Sequence, residues 1–343
     1  MEDAQPDIPD TSWLAALPKA ELHLHIDGSL QAHRLLSLAE KNKVRLPYRT
    51  VEDVEAACAF RDLQSFLDLY YLGASVLRDE EDFYHLMSDY LGKCRDEHIL
   101  HAEIMVEPQT YLPNGVPMDV VMAGFRRAIA DAGREWGQSV ALILDFLRHL
   151  PESDCLAVLE LAKPWREDFV AIGLASSEAP FPPAGFRNLY AAARAQGYRL
   201  TAHAGEEGPP SFVTDSLDLL LVERIDHGVR SSEDPALMAR LVARQVPLTV
   251  CPLSNVRLCV YRSIAEHNVL RLLEAGVKVT VNSDDPAYFG GFLTANYAAL
   301  ATGLGMTKAQ AARIARNGFE AAFLPPESKA ALLARLDAWL AAN

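Results

Sequence analysis

His23 and His25 stand two apart in the run Glu21–Ile26, and an extended strand would point both side chains to one face. Two imidazoles on one face begin a metal site, although an isolated pair of this kind is about as often two satisfied histidines. Four further positions strengthen the case. His203 lies in Ala202-His203-Ala204-Gly205-Glu206, His227 in Asp226-His227-Gly228, and Asp284 and Asp285 in Asn282-Ser283-Asp284-Asp285-Pro286. Each sits at the end of a short apolar run. Three imidazoles and one carboxylate, His23, His25, His203 and Asp284, suit one Zn2+ per chain with a position left for water. Such a water loses a proton near neutral pH and becomes a nucleophile. Glu206, kept protonated by a partly dry pocket, can donate a proton to the leaving system. His227 can orient the water or accept its proton. With Asp284 on the metal, Asp285 is free to bind a substrate N–H.

These residues need a scaffold that gathers strand ends. Eight candidate strands occur: Glu21–Ile26, Ile99–Val106, Val140–Leu147, Phe169–Leu174, Leu200–His203, Arg224–His227, Leu248–Cys251 and Lys278–Asn282. Most are near-continuous apolar runs, as strands buried on both faces of a parallel sheet require. Helical patterns lie between them, at Ser29–Asn42, Leu63–Leu77, Met118–Trp136, Ser211–Leu221 and Pro235–Arg244. Eight such repeats predict an α/β fold of the closed (β/α)8 TIM-barrel type, whose active sites sit at the C-terminal rim. Residues 43–98 have room for additional helices after strand 1, and Met306–Phe323 and Glu327–Ala342 add helices at the C-terminus. Residues 1–343 read as one domain, with 1–12 a flexible N-terminal tail. The histidines at 33, 85, 98, 101, 149 and 267 fall away from the sharp motifs and read as solvated or structural.

Composition removes other classes of function. Lys+Arg is 32 against 46 Asp+Glu, a net charge of −14, so a basic face for nucleic acid or anionic lipid is not expected. The five cysteines show no CxxC spacing, and neither a disulfide framework nor a thiolate metal site is indicated. No apolar run approaches the roughly 18 residues of a spanning helix and no signal peptide is visible, so a cytoplasmic protein is expected.

Taken together, Pro18–Gly28, His203–Glu206, Arg224–Gly228, Cys251-Pro252-Leu253-Ser254-Asn255 and Asn282–Pro286 resemble the adenosine/adenine deaminase family of the amidohydrolase superfamily. The likeness runs from about residue 13 to 323. It implies hydrolytic removal of the 6-amino group of a purine. His23, His25, His203 and Asp284 would hold zinc, Glu206 would protonate N1, and His227 would orient and deprotonate the water. Asp285 would accept a hydrogen bond from the purine, and Ser176 would meet the ring where adenosine deaminases have Gly. The fourth strand ends in Gly173-Leu174-Ala175-Ser176-Ser177-Glu178, without the Lys that bridges two metals in related barrels, so a mononuclear site is expected.

Several stretches resemble the adenine branch, among them Ser176-Ser177-Glu178 and Asp285–Gly291. Asp27 departs from it and resembles the carboxylate that faces ribose in the nucleoside branch. The substrate expected is therefore adenine, with adenosine and N6-substituted adenines as rivals. Outside this class stand a metal-dependent amide or ester hydrolase and a non-catalytic purine-binding relative.

Overall fold

A computed structural model describes residues 7–343. Eight parallel strands follow one another round the sheet in chain order. They are β1 (Lys19–His25), β2 (Ile99–Val106), β3 (Ser139–Leu147), β4 (Phe169–Ala175), β5 (Arg199–Ala204), β6 (Arg224–His227), β7 (Pro247–Val250) and β8 (Lys278–Val281). All eight expected strands are present, with ends shifted by two residues or fewer. Their buried sequences reflect a sheet wrapped by helices, with Leu22, Leu24, Ile104, Leu144 and Ile225 within one continuous apolar core.

The seam between β8 and β1 closes the barrel. The His25 N–H donates to the Asp284 carbonyl at 3.0 Å, and the Asp284 N–H donates to the His23 carbonyl at 3.1 Å. Lower down, the Leu22 N–H donates to Asn282 Oδ1 at 2.8 Å, and the Ser283 N–H to Glu21 Oε1 at 2.7 Å. Side chains thus replace ladder bonds where β8 is short. The same seam puts the two β1 histidines beside the paired aspartates.

Additional helices fill the interval between β1 and β2: Ala32–Lys41, Val51–Ala57, Leu63–Ala74 and Glu80–Asp96. Asp62 caps the third of these through a reciprocal bond with Ser65, which fixes where it starts. It buries Phe66, Leu67 and Tyr70 towards the barrel mouth. Helices Leu293–Leu304, Lys308–Ala321 and Pro326–Ala342 complete the chain. The predicted helix at Ser211–Leu221 is α-helical only over Pro210–Asp215 and widens into a π turn over Ser216–Leu220.

The N-terminal tail departs from expectation. Residues 1–6 of it lie outside the described residues. Beyond them, Asp10 caps a helix over Thr11–Ala16 by accepting the Trp13 N–H at 2.8 Å. The Asp7 carbonyl accepts the Lys308 N–H at 2.8 Å. An Asp followed by Thr and Ser is a cap signal that polar composition masked. Among the described residues no helix is long and apolar enough to cross a membrane.

Candidate metal centre and active site

Period-2 geometry on β1 carries Glu21, His23 and His25 to the barrel interior. His203 comes from the end of β5, and Asp284 from the turn after β8. Four ligand atoms, one from each of His23, His25, His203 and Asp284, lie within 4.8 Å of one another. The His25 and His203 Nε2 atoms are 3.2 Å apart. Asp284 Oδ1 is 3.2 Å from His23 Nε2 and 3.4 Å from His25 Nε2. A tetrahedral ion with ligands at about 2.0–2.1 Å would set its ligand atoms about 3.3 Å apart. The side chains therefore already have the spacing such an ion needs.

Their outer partners settle which nitrogens face inward. The Thr249 hydroxyl donates to Asp226 Oδ1 at 2.9 Å, so its oxygen accepts from His23 Nδ1 at 3.0 Å. His23 Nε2 is left with its lone pair inward, buried and without a hydrogen-bond partner. His25 Nδ1 donates to Glu107, which also accepts from the Tyr70 hydroxyl at 2.5 Å. Carboxylate and hydroxyl partners of this kind orient metal-binding imidazoles. Neither Glu107 nor Tyr70 carries a sequence signal for this role. No local pattern could assign them, because the contact to His25 spans 82 residues of chain.

Burial lowers His203 well below the ordinary histidine value, with the charges of His23 and His227 adding to it. Burial would raise Asp284, but His23 and the neighbouring imidazoles hold it well below the usual carboxylate range. A carboxylate and a neutral imidazole are the forms that bind a cation. Glu206 behaves oppositely: burial, then Asp284 and two nearby glutamates, push its carboxyl well above the usual range. Burial and Asp284 do the same to Asp285.

The rim surrounds a partly open pocket. Phe66, Tyr70 and Tyr71 line it with Phe289, while Ser176, Glu206 and Asp285 supply polar atoms. His23 lies beneath, with no exposure. Glu206 Oε2 is 3.5 Å from His227 Nε2, and Glu206 Oε1 and Asp285 Oδ1 are buried without partners. All eight expected site residues therefore gather at one rim. Ser176, His227 and Asp284 also have left-handed backbones, with φ of 78°, 63° and 63°. Each costs about 1–2 kcal/mol relative to a relaxed residue, and the tight strand-end turns they make aim their side chains.

Glu178 and Asp27 do not line the pocket. The Glu178 carboxylate accepts four backbone N–H groups, from Gly205, Glu206, Glu207 and Gly208, at 2.6, 3.0, 2.9 and 2.8 Å. It braces the loop that carries Glu206. Asp27 Oδ1 instead accepts the Tyr111 hydroxyl at 2.5 Å. His149, read as structural, reaches the rim and lies 2.8 Å from the Ser176 hydroxyl. Gly28 packs so tightly that a Cβ there would come within 2.1 Å of Asp285 Oδ1, so only glycine leaves Asp285 in place.

A closed parallel barrel with this rim defines a metal-dependent hydrolase. The chain belongs to the adenosine deaminase family, whose profile matches residues 18–339. It is 54% identical over 328 residues to an adenine deaminase of Hahella chejuensis, covering 96% of this chain and 98% of that one. It is also 54% identical over 309 residues to an adenine deaminase of Ectopseudomonas mendocina, covering 90% and 98%. A crystal structure of adenine deaminase from Arthrobacter aurescens superposes with a TM-score of 0.93 at 44% identity, covering 95% of this chain and 99% of that one. An amidohydrolase from Burkholderia ambifaria, solved with bound Zn, superposes with a TM-score of 0.88 at 27% identity, covering 99% and 98%.

Proposed function

We infer that this chain hydrolyses adenine to hypoxanthine and ammonia, with one zinc ion held by His23, His25, His203 and Asp284. The observation that carries the reading is the gathering of that ligand set with Glu206 and Asp285 in one pocket. Zinc rather than another divalent metal is supported by the three-imidazole, one-carboxylate donor set and its spacing. A bound dication supplies Lewis acidity that lowers the pKa of water.

The residues do the rest. Glu206 delivers a proton to N1, which makes C6 electrophilic. His227 orients the attacking water. The free Asp285 oxygen accepts an N–H of the purine, and Ser176 lies against the ring. The aromatic side chains from helix Leu63–Ala74 exclude water from a flat, largely apolar base. The substrate is a small 6-aminopurine, and the enzyme works in the cytoplasm, where its five free cysteines stay reduced. We take the chain, residues 1–343, as one catalytic domain.

Adenine is favoured over adenosine because Asp27, the candidate ribose partner, is engaged by Tyr111 and lies off the pocket. Side-by-side kcat/KM values for adenine, adenosine and N6-methyladenine test this choice. Adenine should lead by at least about 100-fold, the discrimination that roughly 3 kcal/mol of lost fit produces. A higher value for either rival would reassign the substrate within the same chemistry.

A further inference from the structure

His227 is backed by a chain of hydrogen bonds that neither the ligand set nor Glu206 uses. The Asn255 side-chain amide lies 3.3 Å from His227 Nδ1. Asn255 Oδ1 lies 3.2 Å from His267 Nε2. The Val269 backbone N–H donates to His267 Nδ1 at 3.1 Å. Asn255 and His267 are buried, and Tyr261 holds the His267 ring at a centroid separation of 4.3 Å.

The direction of this chain follows from its last member. A backbone N–H can only donate, so His267 Nδ1 must carry a lone pair. Burial holds His267 down at about 3, so it is neutral and its proton is on Nε2. That proton goes to Asn255 Oδ1, which turns the Asn255 NH2 group towards His227. His227 Nδ1 must then accept, and its own proton is on Nε2. The flipped amide would place two donors head to head at Val269 and His267.

We propose that Asn255 and His267 are positioning residues that lock His227 in its Nε2–H tautomer, so that His227 donates a hydrogen bond to the oxygen attacking C6. The tautomer itself follows from the hydrogen bonds. Its catalytic consequence rests on the aminohydrolase reading above. His227 Nε2 faces Glu206 Oε2 at 3.5 Å and Asp284 Oδ2 at 3.7 Å, the side from which the attacking oxygen is approached. Of the two roles open to His227, orienting the water or accepting its proton, the chain of donors favours the first.

The proton balance then closes through Glu206. The protonated Glu206 carboxyl gives its proton to N1 as the C6–O bond forms, and the first proton of the attacking water replaces it. The second water proton leaves on the amine as the C6–N bond breaks, giving ammonia and hypoxanthine. His227 ends as it began.

Two-bond proton–nitrogen correlation spectra of nitrogen-15 histidine-labelled, metal-loaded protein report the tautomer directly. The His227 signals are assigned by their absence in His227→Gln. The expected pattern is a bare Nδ1 and a protonated Nε2. Asn255→Asp presents only acceptors, so His227 should switch to Nδ1–H, with kcat falling by about 10–100-fold, as outer-partner losses do, and KM changing far less. His267→Gln, whose amide can accept from Val269 and donate to Asn255, should restore the wild-type pattern that His267→Leu loses. A wild-type His227 protonated on Nδ1, or an Asn255→Asp variant with the pattern and kcat of wild type, would overturn the proposal. Because the spectra need no substrate, a failure of adenine turnover leaves the tautomer test standing and counts only against the assigned reaction.

Discussion

Glu206→Gln is expected to lower kcat on adenine by about 10²–10⁴-fold, the range that a positioned proton donor supplies. The argument begins with placement. The loop after β5 is braced through four N–H groups by Glu178, so the side chain at 206 keeps its position when its chemistry changes. Burial raises the Glu206 carboxyl well above the ordinary range, which suits a group that holds a proton for N1. Glutamine has the same shape and no proton to give. Glu206 is absent from the ligand set, so the variant should retain its full metal content and its fold. Comparing kcat with metal content in the two proteins checks this. Normal turnover would remove Glu206 from the chemistry.

The second large effect concerns the ligands. Without a cation, His25 and His203 present facing Nε2 atoms 3.2 Å apart, and His23 Nε2 is buried without a partner. Those groups are desolvated without compensation, which is costly. His203→Ala should therefore abolish turnover and leave less than one metal per chain. Removing metal from the wild type with a chelator should also lower the melting temperature. Metal at about 1,000 times its dissociation constant adds about 4 kcal/mol of stability through mass action. Re-addition of zinc should restore both properties to wild type but not to His203→Ala. A chelated wild type that keeps its activity and melting temperature would contradict the ligand assignment.

Much of this arrangement was legible in the sequence, for physical reasons that differ by residue. The strands were visible because parallel strands covered by helices must be apolar on both faces. Residues that break that pattern at strand ends, His203, His227, Asp284 and Asp285, stood out as the rim. The β1 histidines were readable because strand periodicity assigns faces without tertiary knowledge. Neither Asp27 nor Glu178 could be placed from sequence, because a carboxylate on a rim loop can face the pocket, a neighbouring side chain or the backbone. The decisive partners, the Tyr111 hydroxyl and the amides of the 205–208 loop, are distant in sequence. Glu107 directly follows β2, but its contact to His25 spans 82 residues of chain. His267 acts through Asn255 and lies in no motif that marks it. The helix at Thr11–Ala16 was hidden by a polar stretch whose one signal was the Asp10 cap.

The net charge of −14 also takes on structure. Asp284, held ionised by the imidazoles around it, places part of it in the pocket, where a dication would offset it. Exposed pairs such as Arg240–Asp218 and Arg316–Asp337 belong to the solvated surface, where such contacts are worth little.

The most direct test of the account is adenine turnover in oxygen-18 water by the metal-loaded protein, followed by mass spectrometry of the purine and assay of ammonia. The predicted result is hypoxanthine carrying one heavy oxygen at C6, with one ammonia released per purine. Adenine left unchanged by folded, fully metallated protein would contradict the account.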